Sequence, residues 1–213
     1  TNSPQTYDGS SQAAVVEEDS SVAGVVSDIK YDTSSTAPTN AGTYAVTADF
    51  IPTDTSTYNS LDDASAGNFV IEKADTTTTV TCSDVTYNGS AQTPCTVSIT
   101  SPGGLSLTPN PVYSNNINAG TATASYTYSG DSNYNGSSDS KNFNIAKADA
   151  NANITGYSGI YDGVAHGISG TITGVLSEIL SGLNLGSLFT NVPGGTANWT
   201  FTDSTGNYND TSG

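Results

Sequence analysis

Residues 118–128, Asn-Ala-Gly-Thr-Ala-Thr-Ala-Ser-Tyr-Thr-Tyr, alternate apolar and polar side chains after an opening Asn-Ala-Gly. Ala122, Ala124 and Tyr126 fall on one side of an extended chain, since successive side chains of a strand point to opposite faces. This period of two is typical of a half-buried β-strand. The stretch therefore predicts a strand with one face in a core and the other towards solvent.

The same pattern occurs twice more in the chain. Residues 40–50 read Asn-Ala-Gly-Thr-Tyr-Ala-Val-Thr-Ala-Asp-Phe and alternate in the same register. A looser version opens at Pro193 and places Ala197, Trp199 and Phe201 on one side. Because Trp199 shares the register of the apolar positions in the other two stretches, we expect it to be buried.

Three other landmarks accompany this strand in a fixed order. A Tyr-x-Gly triplet precedes it, a Tyr-Asn pair follows it, and a Phe-x-Ile-x-Lys-Ala-Asp segment closes the first two copies. The triplets begin at Tyr7, Tyr87 and Tyr161, the pairs at Tyr58, Tyr134 and Tyr208, and the closing segments at Phe69 and Phe143. A fixed order that recurs at roughly 75 residues identifies internal repeats.

The repeats predict an all-β fold class, a tandem array of three small immunoglobulin-like β-sandwich repeats. Short strands separated by polar turns at this spacing are typical of sandwiches. The landmarks place the first repeat at residues 1–74, the second at 75–148 and the third at 149–213. We expect the first repeat to lack its first strand and the third to lack its last strand.

Two local features need a decision between alternatives. The Asp-Gly or Asn-Gly after each landmark tyrosine predicts a two-residue hairpin turn, which requires residues that tolerate positive φ. Residues 175–183 carry apolar side chains at helical spacing, so a helix is one interpretation of this segment. Gly182 and the repeat context favour strand and loop there, and that is our expectation.

The charge balance argues against several kinds of partner. The chain has 20 acidic residues, four lysines and no arginine, for a formal net charge of −16. Such a surface disfavours nucleic acid and anionic membranes, because proteins bind both through Lys and Arg. No apolar run is long enough for a membrane span. We expect no nucleic-acid partner and no membrane insertion.

The landmarks resemble the MBG and YDG repeats of bacterial surface proteins, which are related to bacterial Ig-like domains. The Tyr-x-Gly, Asn-Ala-Gly-Thr, Tyr-Asn and Phe-x-Ile-x-Lys-Ala elements match, and the third copy resembles a divergent branch. The resemblance implies tandem β-rich modules of large, adhesin-like proteins, and hence an extracellular or cell-surface location. It brings no catalytic residue with it, because the family pattern has none.

The two cysteines of the chain, Cys82 and Cys95, flank the second Tyr-x-Gly triplet. Strands that meet across this turn would bring the thiols together, so we expect a disulfide, in keeping with an oxidising compartment. The pair does not form a Cys-x-x-Cys motif and has no other soft ligand beside it. A redox or metal role is therefore disfavoured.

The single histidine, His166, stands where the first two copies carry Gln12 and Gln92. A position that accepts either side chain serves hydrogen bonding or packing, so we expect a structural role. With one histidine and no arginine, a nucleophile–base–carboxylate arrangement lacks its usual groups. The sequence therefore predicts no enzyme activity, no catalytic residue and no bound cofactor.

Aspartates near the Tyr-Asn pairs are the best candidates for a metal site. They are Asp54, Asp62 and Asp63 in the first repeat, Asp131 and Asp139 in the second, and Asp203 and Asp210 in the third. Hard oxygen ligands at a turn or a repeat boundary suit Ca²⁺. Asp is also an ordinary turn residue, and no EF-hand loop is present, so turn formation is our expectation and calcium the alternative.

Two functions fit these observations. The first is a non-catalytic structural region, an extended stalk or a subunit of an extracellular fibre, whose partners are neighbouring repeats and identical subunits added at open sheet edges. The second is a carbohydrate- or surface-binding module that recognises surface glycans through exposed tyrosines and turns. Repetition favours the first function, because a binding site need not be copied three times.

Overall fold

A computed structural model describes residues 2–18 and 21–213 of the chain. Within these residues every regular element is a β-strand, and the strands form five sheets. The all-β class predicted from the alternating pattern is therefore confirmed.

The first repeat contributes one sheet with the strand order β1-β4-β3-β2. Its strands are β1 (Gln5–Thr6), β2 (Gly24–Tyr31), β3 (Gly42–Pro52) and β4 (Leu61–Glu72). Strand β3 pairs antiparallel with β2 and β4, and β1 pairs parallel with β4. The alternation predicted for β3 buries Val46 and Ala48, and Val46 packs with Tyr31, Phe69 and Ile71 in one cluster.

The second repeat contributes seven strands in two sheets, the number expected for a small sandwich. They are β5 (Thr77–Cys82), β6 (Val85–Thr86), β7 (Cys95–Thr100), β8 (Ser106–Leu107), β9 (Val112–Ser114), β10 (Gly120–Tyr128) and β11 (Ser137–Ala146). The sheet orders are β5-β7-β8 and β6-β11-β10-β9. The predicted disulfide is present and joins Cys82, at the end of β5, to Cys95, at the start of β7.

The third repeat contributes five short strands. They are β12 (Asn151–Thr155), β13 (Ser169–Thr173), β14 (Leu183–Asn184), β15 (Thr200–Phe201) and β16 (Thr211–Ser212), in sheets β12-β13 and β14-β15-β16. Ile172 and Phe201 are buried in its core. The expectation of full burial for Trp199 was wrong: it is half-buried against this cluster, because only residues 200–201 of its stretch form a strand.

Residues 175–183 form a turn and a short strand start, not a helix, as the repeat context indicated. The N–H of Gly174 donates to the carbonyl of Glu178 at 2.9 Å, and the N–H of Ser177 donates to the carbonyl of Gly174 at 3.0 Å. Ser177 has a φ of 65°. This left-handed conformation interrupts the regular φ of a helix and explains why the apolar spacing is not helical here.

The expectation of a two-residue hairpin at each Tyr-x-Gly triplet was wrong. Only the glycine has positive φ, 83° at Gly9 and 79° at Gly89, whereas a type I′ hairpin turn needs positive φ at two positions. The residue before each glycine instead accepts an N–H from two positions on, as Asp8 does from Ser10 at 2.8 Å. The strand before each triplet therefore forms no hairpin across the turn. Instead, β1 pairs parallel with β4, and β6 pairs parallel with β11.

Contacts divide the chain into two compact units. The first comprises Thr1–Thr79, Val97–Asn110 and Tyr126–Asp139, and the second comprises Val80–Thr96, Pro111–Ser125 and Ser140–Gly213. The first unit thus contains the first repeat with part of the second, and the second unit contains the rest of the second repeat with the third. The count of three repeats and their boundaries stay a prediction.

Candidate functional site

Each Tyr-Asn pair lies in a short turn held by an aspartate. We call these the Tyr-Asn turns: residues 57–59 (Thr-Tyr-Asn), 133–135 (Asn-Tyr-Asn) and 207–209 (Asn-Tyr-Asn). Asp131 accepts the N–H groups of Asn133 and Tyr134 at 2.8 and 2.9 Å. Asp203 and Asp54 accept backbone N–H groups of their own turns in the same way. These three aspartates therefore bind the backbone of their own turns.

These hydrogen bonds favour the ionised carboxylates. The side chains of Ser56 and then Thr57 lower the pKa of Asp54 to about 2, and the Asn133 N–H is the main cause of the lowered pKa of Asp131. Burial opposes ionisation of Asp203, but hydrogen bonds from Tyr208 and Thr205 outweigh it and lower the pKa of this carboxyl overall. Each carboxylate therefore stabilises its turn most when charged.

The other calcium candidates do not join these three in a common cluster. Asp210 accepts the N–H of Asp203 at 2.9 Å, and Asp63 pairs with Lys30 at 2.7 Å. Across residues 2–18 and 21–213, no group of three or more His, Cys, Asp or Glu side chains has the spacing of a metal site. Asp62 and Asp139 are thus not brought together with the other carboxylates in such a group.

The second Tyr-Asn turn forms a junction between the first and second repeats, within the first unit. The side-chain carbonyl of Asn133 accepts the N–H of Ala41 at 2.9 Å, and its amide donates to the side chain of Asn40 at 3.1 Å. Asn40 and Ala41 belong to the Asn-Ala-Gly opening of the first repeat. One side chain of the second repeat therefore forms hydrogen bonds with two groups of the first repeat.

The connection between the repeats takes part in the same junction. Ala74 is fully buried; its N–H donates to the carbonyl of Asn133 and its carbonyl accepts the N–H of Asn135, both at 2.9 Å. The Asn135 amide donates to the carboxylate of Asp75 at 2.8 Å, and the Lys73 ammonium donates to the carbonyl of Asp131 at 2.6 Å. The connection is a hydrogen-bonded element and not a free linker.

Aromatic packing completes this first junction. Tyr134, only 6% exposed, meets Tyr7 edge-on with ring centroids 5.2 Å apart and an interplanar angle of 87°. Its hydroxyl donates to the carbonyl of Gly103 at 3.2 Å. A Cβ on Gly9 would lie 3.0 Å from that carbonyl oxygen, so the close approach, together with the positive φ, explains a glycine in the Tyr-x-Gly triplet.

The third Tyr-Asn turn forms a second junction with the same contacts, within the second unit. Asn207 accepts the N–H of Ala119 at 2.9 Å and donates to Asn118 at 3.3 Å. Ala148 exchanges two backbone hydrogen bonds with residues 207 and 209, both at 2.9 Å. Tyr208 meets Tyr87 edge-on, with centroids 5.5 Å apart and an angle of 86°. Asn209 donates to Asp149 at 2.7 Å.

The second junction buries its tyrosine more completely. Tyr208 is 1% exposed, its hydroxyl donates to the carboxylate of Glu178, and it accepts the N–H of Val175 at 3.1 Å. Burial first, and then this carboxylate, raise the pKa of Tyr208 to about 12. The apolar turn at residues 175–178 therefore belongs to the junction, where Leu176 lies against Gly89.

The structural interpretation of His166 rests on a shared backbone contact. The N–H groups of Gln12, Gln92 and His166 donate to the carbonyls of Pro38, Asn116 and Phe189 at 2.8–2.9 Å. The side chains differ: both glutamines donate to a nearby backbone carbonyl, whereas His166 bonds the carboxylate of Asp162 at 3.0 Å. His166 also stacks on Tyr157 at 3.8 Å.

Sequence reasoning did not identify Asn133 and Asn207 as junction residues. The sequence does distinguish these positions. An asparagine stands directly before the Tyr-Asn pair in the second and third copies, whereas Thr57 stands there in the first. An asparagine has both a donor and an acceptor, so its recurrence before a buried tyrosine indicates pairing across a repeat boundary.

Comparison with known proteins identifies the first repeat. Residues 1–75 match the family described as the MBG domain, as the resemblance of the landmarks implied. No curated protein and no solved structure matches the chain. The match supports an MBG-type surface-protein repeat over these residues. Among the described residues there is no helix long and apolar enough to cross a membrane.

Proposed function

We propose that this chain is a non-catalytic structural region of a large secreted or cell-surface, adhesin-like protein, where it forms an extended stalk or a subunit of an extracellular fibre. The observation that carries the proposal is the repetition of one junction. Asn133 and Asn207, the buried tyrosines and the connecting alanines make the same contacts at nearly the same distances. A repeated, hydrogen-bonded junction is what a spacer needs to resist bending.

The short connections support this function. Ala74 and Ala148 are buried and each makes two backbone hydrogen bonds, so the backbone of both connections is held in place. Flexible linkers are instead exposed and rich in Gly, Ser or Pro. Hinging at these points would require breaking the backbone pair, the asparagine contacts and the aromatic contact together.

Small-angle X-ray scattering of the full chain at low concentration tests the proposal. We expect an elongated particle with one narrow distribution of interatomic distances. The matched control carries a Gly-Ser-Gly-Ser insertion between Lys73 and Ala74 and between Lys147 and Ala148, which uncouples the connections from the turns. The stalk is refuted if the native chain scatters like this flexible control, with the same broad distribution.

A carbohydrate-binding module is the second candidate, favoured by the exposed aromatic rings of the third repeat. Tyr157 and Tyr161 are 52% and 62% exposed beside a cleft of about 370 Å³. We favour the structural function because the junction occurs twice, whereas this cleft occurs once among the described residues. We expect a glycan array probed with the full chain to be negative. A glycan signal that Tyr161→Ala abolishes would support the second candidate instead.

A further inference from the structure

The three Tyr-x-Gly triplets differ at their middle residue, which is Asp8 in the first copy, Asn88 in the second and Asp162 in the third. The side chains make the same contact. An oxygen of each accepts the N–H two residues further along the chain, at 2.8 Å for Asp8 and at 2.9 Å for Asn88 and Asp162. The same turn thus holds a carboxylate in two copies and an amide in one, and of these only the amide can release ammonia.

The residue after Asn88 places a nucleophile beside this amide. The Gly89 N–H makes no hydrogen bond with any described residue, and the same holds for the side-chain nitrogen of Asn88. Gly89 has no side chain to obstruct a ring that closes between its nitrogen and the Asn88 Cγ. Because nucleophile and amide belong to adjacent residues, no second molecule has to be positioned.

The Ser90 N–H favours addition at this amide. It donates to Oδ1 of Asn88 at 2.9 Å, and this oxygen gains negative charge when a nucleophile adds to Cγ. A donor directed at a developing oxyanion stabilises the transition state of such an addition. The hydrogen bond engages the oxygen and leaves the departing nitrogen free.

The sequence Tyr-Asn-Gly-Ser occurs a second time, at residues 134–137, and the structure holds that copy differently. The side-chain nitrogen of Asn135 donates to the Asp75 carboxylate at 2.8 Å, and its N–H donates to the carbonyl of the buried Ala74 at 2.9 Å. No described group donates to its side-chain oxygen. A Cβ on Gly136 would lie 2.7 Å from a backbone carbonyl oxygen, so the glycine is packed as well. The junction therefore fixes Asn135 and leaves Asn88 free.

We propose that Asn88 is a self-modification site, at which the Gly89 nitrogen displaces the side-chain amide and converts the asparagine to aspartate or isoaspartate. The nitrogen bonds to Cγ, its proton departs with the amide nitrogen as ammonia, and a succinimide ring forms. Water then opens the ring. Cleavage between nitrogen and Cγ gives aspartate, whereas cleavage between nitrogen and the backbone carbonyl carbon gives isoaspartate, in which the chain continues through Cγ. In sum, one amide and one water become one carboxylate and one ammonium ion.

The first and third copies show that an aspartate suits this turn. The Ser10 N–H is the main cause of the lowered pKa of Asp8, and the Val164 N–H is the main cause of the lowered pKa of Asp162. Both carboxyls are therefore held in the ionised form. An ionised carboxylate resists attack by the neighbouring nitrogen, because it is already negative and has no neutral leaving group. These two copies carry the residue in the form that no longer reacts.

Isoaspartate, unlike aspartate, acts on the second junction. It inserts one extra backbone atom between Tyr87 and Gly89. The Tyr87 ring meets Tyr208 with centroids 5.5 Å apart, and a Cβ on Gly89 would lie 2.7 Å from the side chain of Leu176. Both contacts belong to the second junction, so a changed spacing between them weakens it. Aspartate keeps the backbone spacing and leaves the junction intact.

Peptide mapping of the full chain during incubation at mildly alkaline pH tests the site. Chymotrypsin cleaves the reduced chain after Tyr87 and Tyr134, so Asn88 and Asn135 fall in different peptides, whose masses report conversion of amide to acid. We expect Asn88 to convert at least several-fold faster than Asn135 in the folded chain. In urea with reductant the two identical tetrapeptides should convert at similar rates. Equal rates in the folded chain, or an Asn88 that does not react there, overturn the proposal.

A variant at the protected copy tests why the two sites differ. Asp75→Ala removes the carboxylate that holds the Asn135 amide, so conversion of Asn135 in the folded chain should rise several-fold while that of Asn88 stays the same. An unchanged rate at Asn135 would contradict the explanation from the held amide. An unchanged melting temperature serves as the check that this variant is folded.

The effect on the junction is measured by Trp199 fluorescence during urea unfolding, since this tryptophan packs on the cluster that contains Tyr208. The aged chain should show an added transition at lower urea, with an amplitude that follows its isoaspartate content. Asn88→Asp, aged in parallel, keeps the acceptor of the turn and should show the transition of the fresh chain alone. An aged chain that contains isoaspartate and unfolds like the fresh one would disprove the effect on the junction.

Discussion

Tyr134 and Tyr208 occupy the same position in the two junctions, yet their hydroxyls meet different partners. Tyr134 donates to a backbone carbonyl, that of Gly103, whereas Tyr208 donates to the carboxylate of Glu178 and accepts an N–H as well. The asparagine, alanine and aromatic contacts are the same in both junctions. The common contacts therefore define the junction, and the hydroxyl partner varies with the neighbouring turn.

The two junctions also differ in how the turn tyrosine joins a core. Tyr208 belongs to the buried cluster of the third repeat with Ala148, Ile172 and Phe201. The buried cluster of the first repeat, around Phe69, forms without Tyr134. The third repeat's cluster therefore includes the connecting alanine Ala148, whereas the first repeat's cluster includes neither Ala74 nor Tyr134.

The largest expected effect is that of Tyr208→Ala. Truncating a buried aromatic side chain costs roughly 3–5 kcal/mol, and here it also leaves Glu178 without its donor. The single tryptophan, Trp199, packs on the same cluster, so its fluorescence during urea unfolding reports the loss. The control Tyr58→Ala, in the exposed turn, should change the free energy of unfolding by less than about 0.5 kcal/mol. Equal effects of the two variants would contradict the comparison.

Removal of the disulfide should have the next largest effect on stability, and this effect should be confined to the unit that contains the second junction. Cys82 and Cys95 are 13 residues apart and both belong to the second unit. Closing a loop of this size contributes about 3 kcal/mol in the chain-entropy model. The double variant Cys82→Ser, Cys95→Ser should lower the free energy of unfolding of the second unit by that amount, followed by Trp199 fluorescence. Reductant should have no further effect on it; a fluorescence transition identical to that of the native chain would contradict this prediction.

Much of this architecture was readable from the sequence because it depends on local patterns. Alternation at residues 40–50 and 118–128 predicted the long strands, and the repeat register placed His166 at the position of Gln12 and Gln92. The junctions were not predicted, because they depend on which residues of one repeat meet another. The Tyr-x-Gly turn was misjudged for a related reason: the partner of the following strand is set by the sheet and not by the turn residues.

Asn133→Ala and Asn207→Ala sharpen the comparison at the shared contact. Each removes an acceptor and a donor, and hydrogen bonds of this kind are worth about 1 kcal/mol each. Asn207 is 8% exposed, whereas Asn133 is only half-buried. We expect a loss of about 2 kcal/mol for Asn207→Ala and a smaller loss for Asn133→Ala. Thr57→Ala is the matched substitution in the exposed turn; it removes only the solvent-exposed side-chain contact with Asp54 and should cost less than either asparagine variant. A reversed order of the two asparagines in urea unfolding would refute this ranking.

The smallest effect concerns the aspartates and should not distinguish the turns of the two junctions from the exposed turn. Hydrogen bonds lower the folded-state pKa of Asp54 to about 2 and also lower that of Asp131. A carboxylate whose pKa is lowered by folding stabilises the fold at pH values above its unfolded-state pKa. This stabilisation is lost as the pH falls through the folded-state pKa. The melting temperature should therefore fall between about pH 4 and pH 2.

Asp54→Asn and Asp131→Asn keep a side-chain acceptor for the turn amides but cannot titrate, so each should flatten part of this acid transition. Both carboxylates bind the backbone of their own turns, whether or not a neighbouring repeat covers the turn. Differential scanning calorimetry from pH 7 to pH 2, with and without EDTA, measures the effect, and EDTA should not change it. If only Asp131→Asn flattens the transition, the neighbouring repeat and not the turn itself determines the pKa.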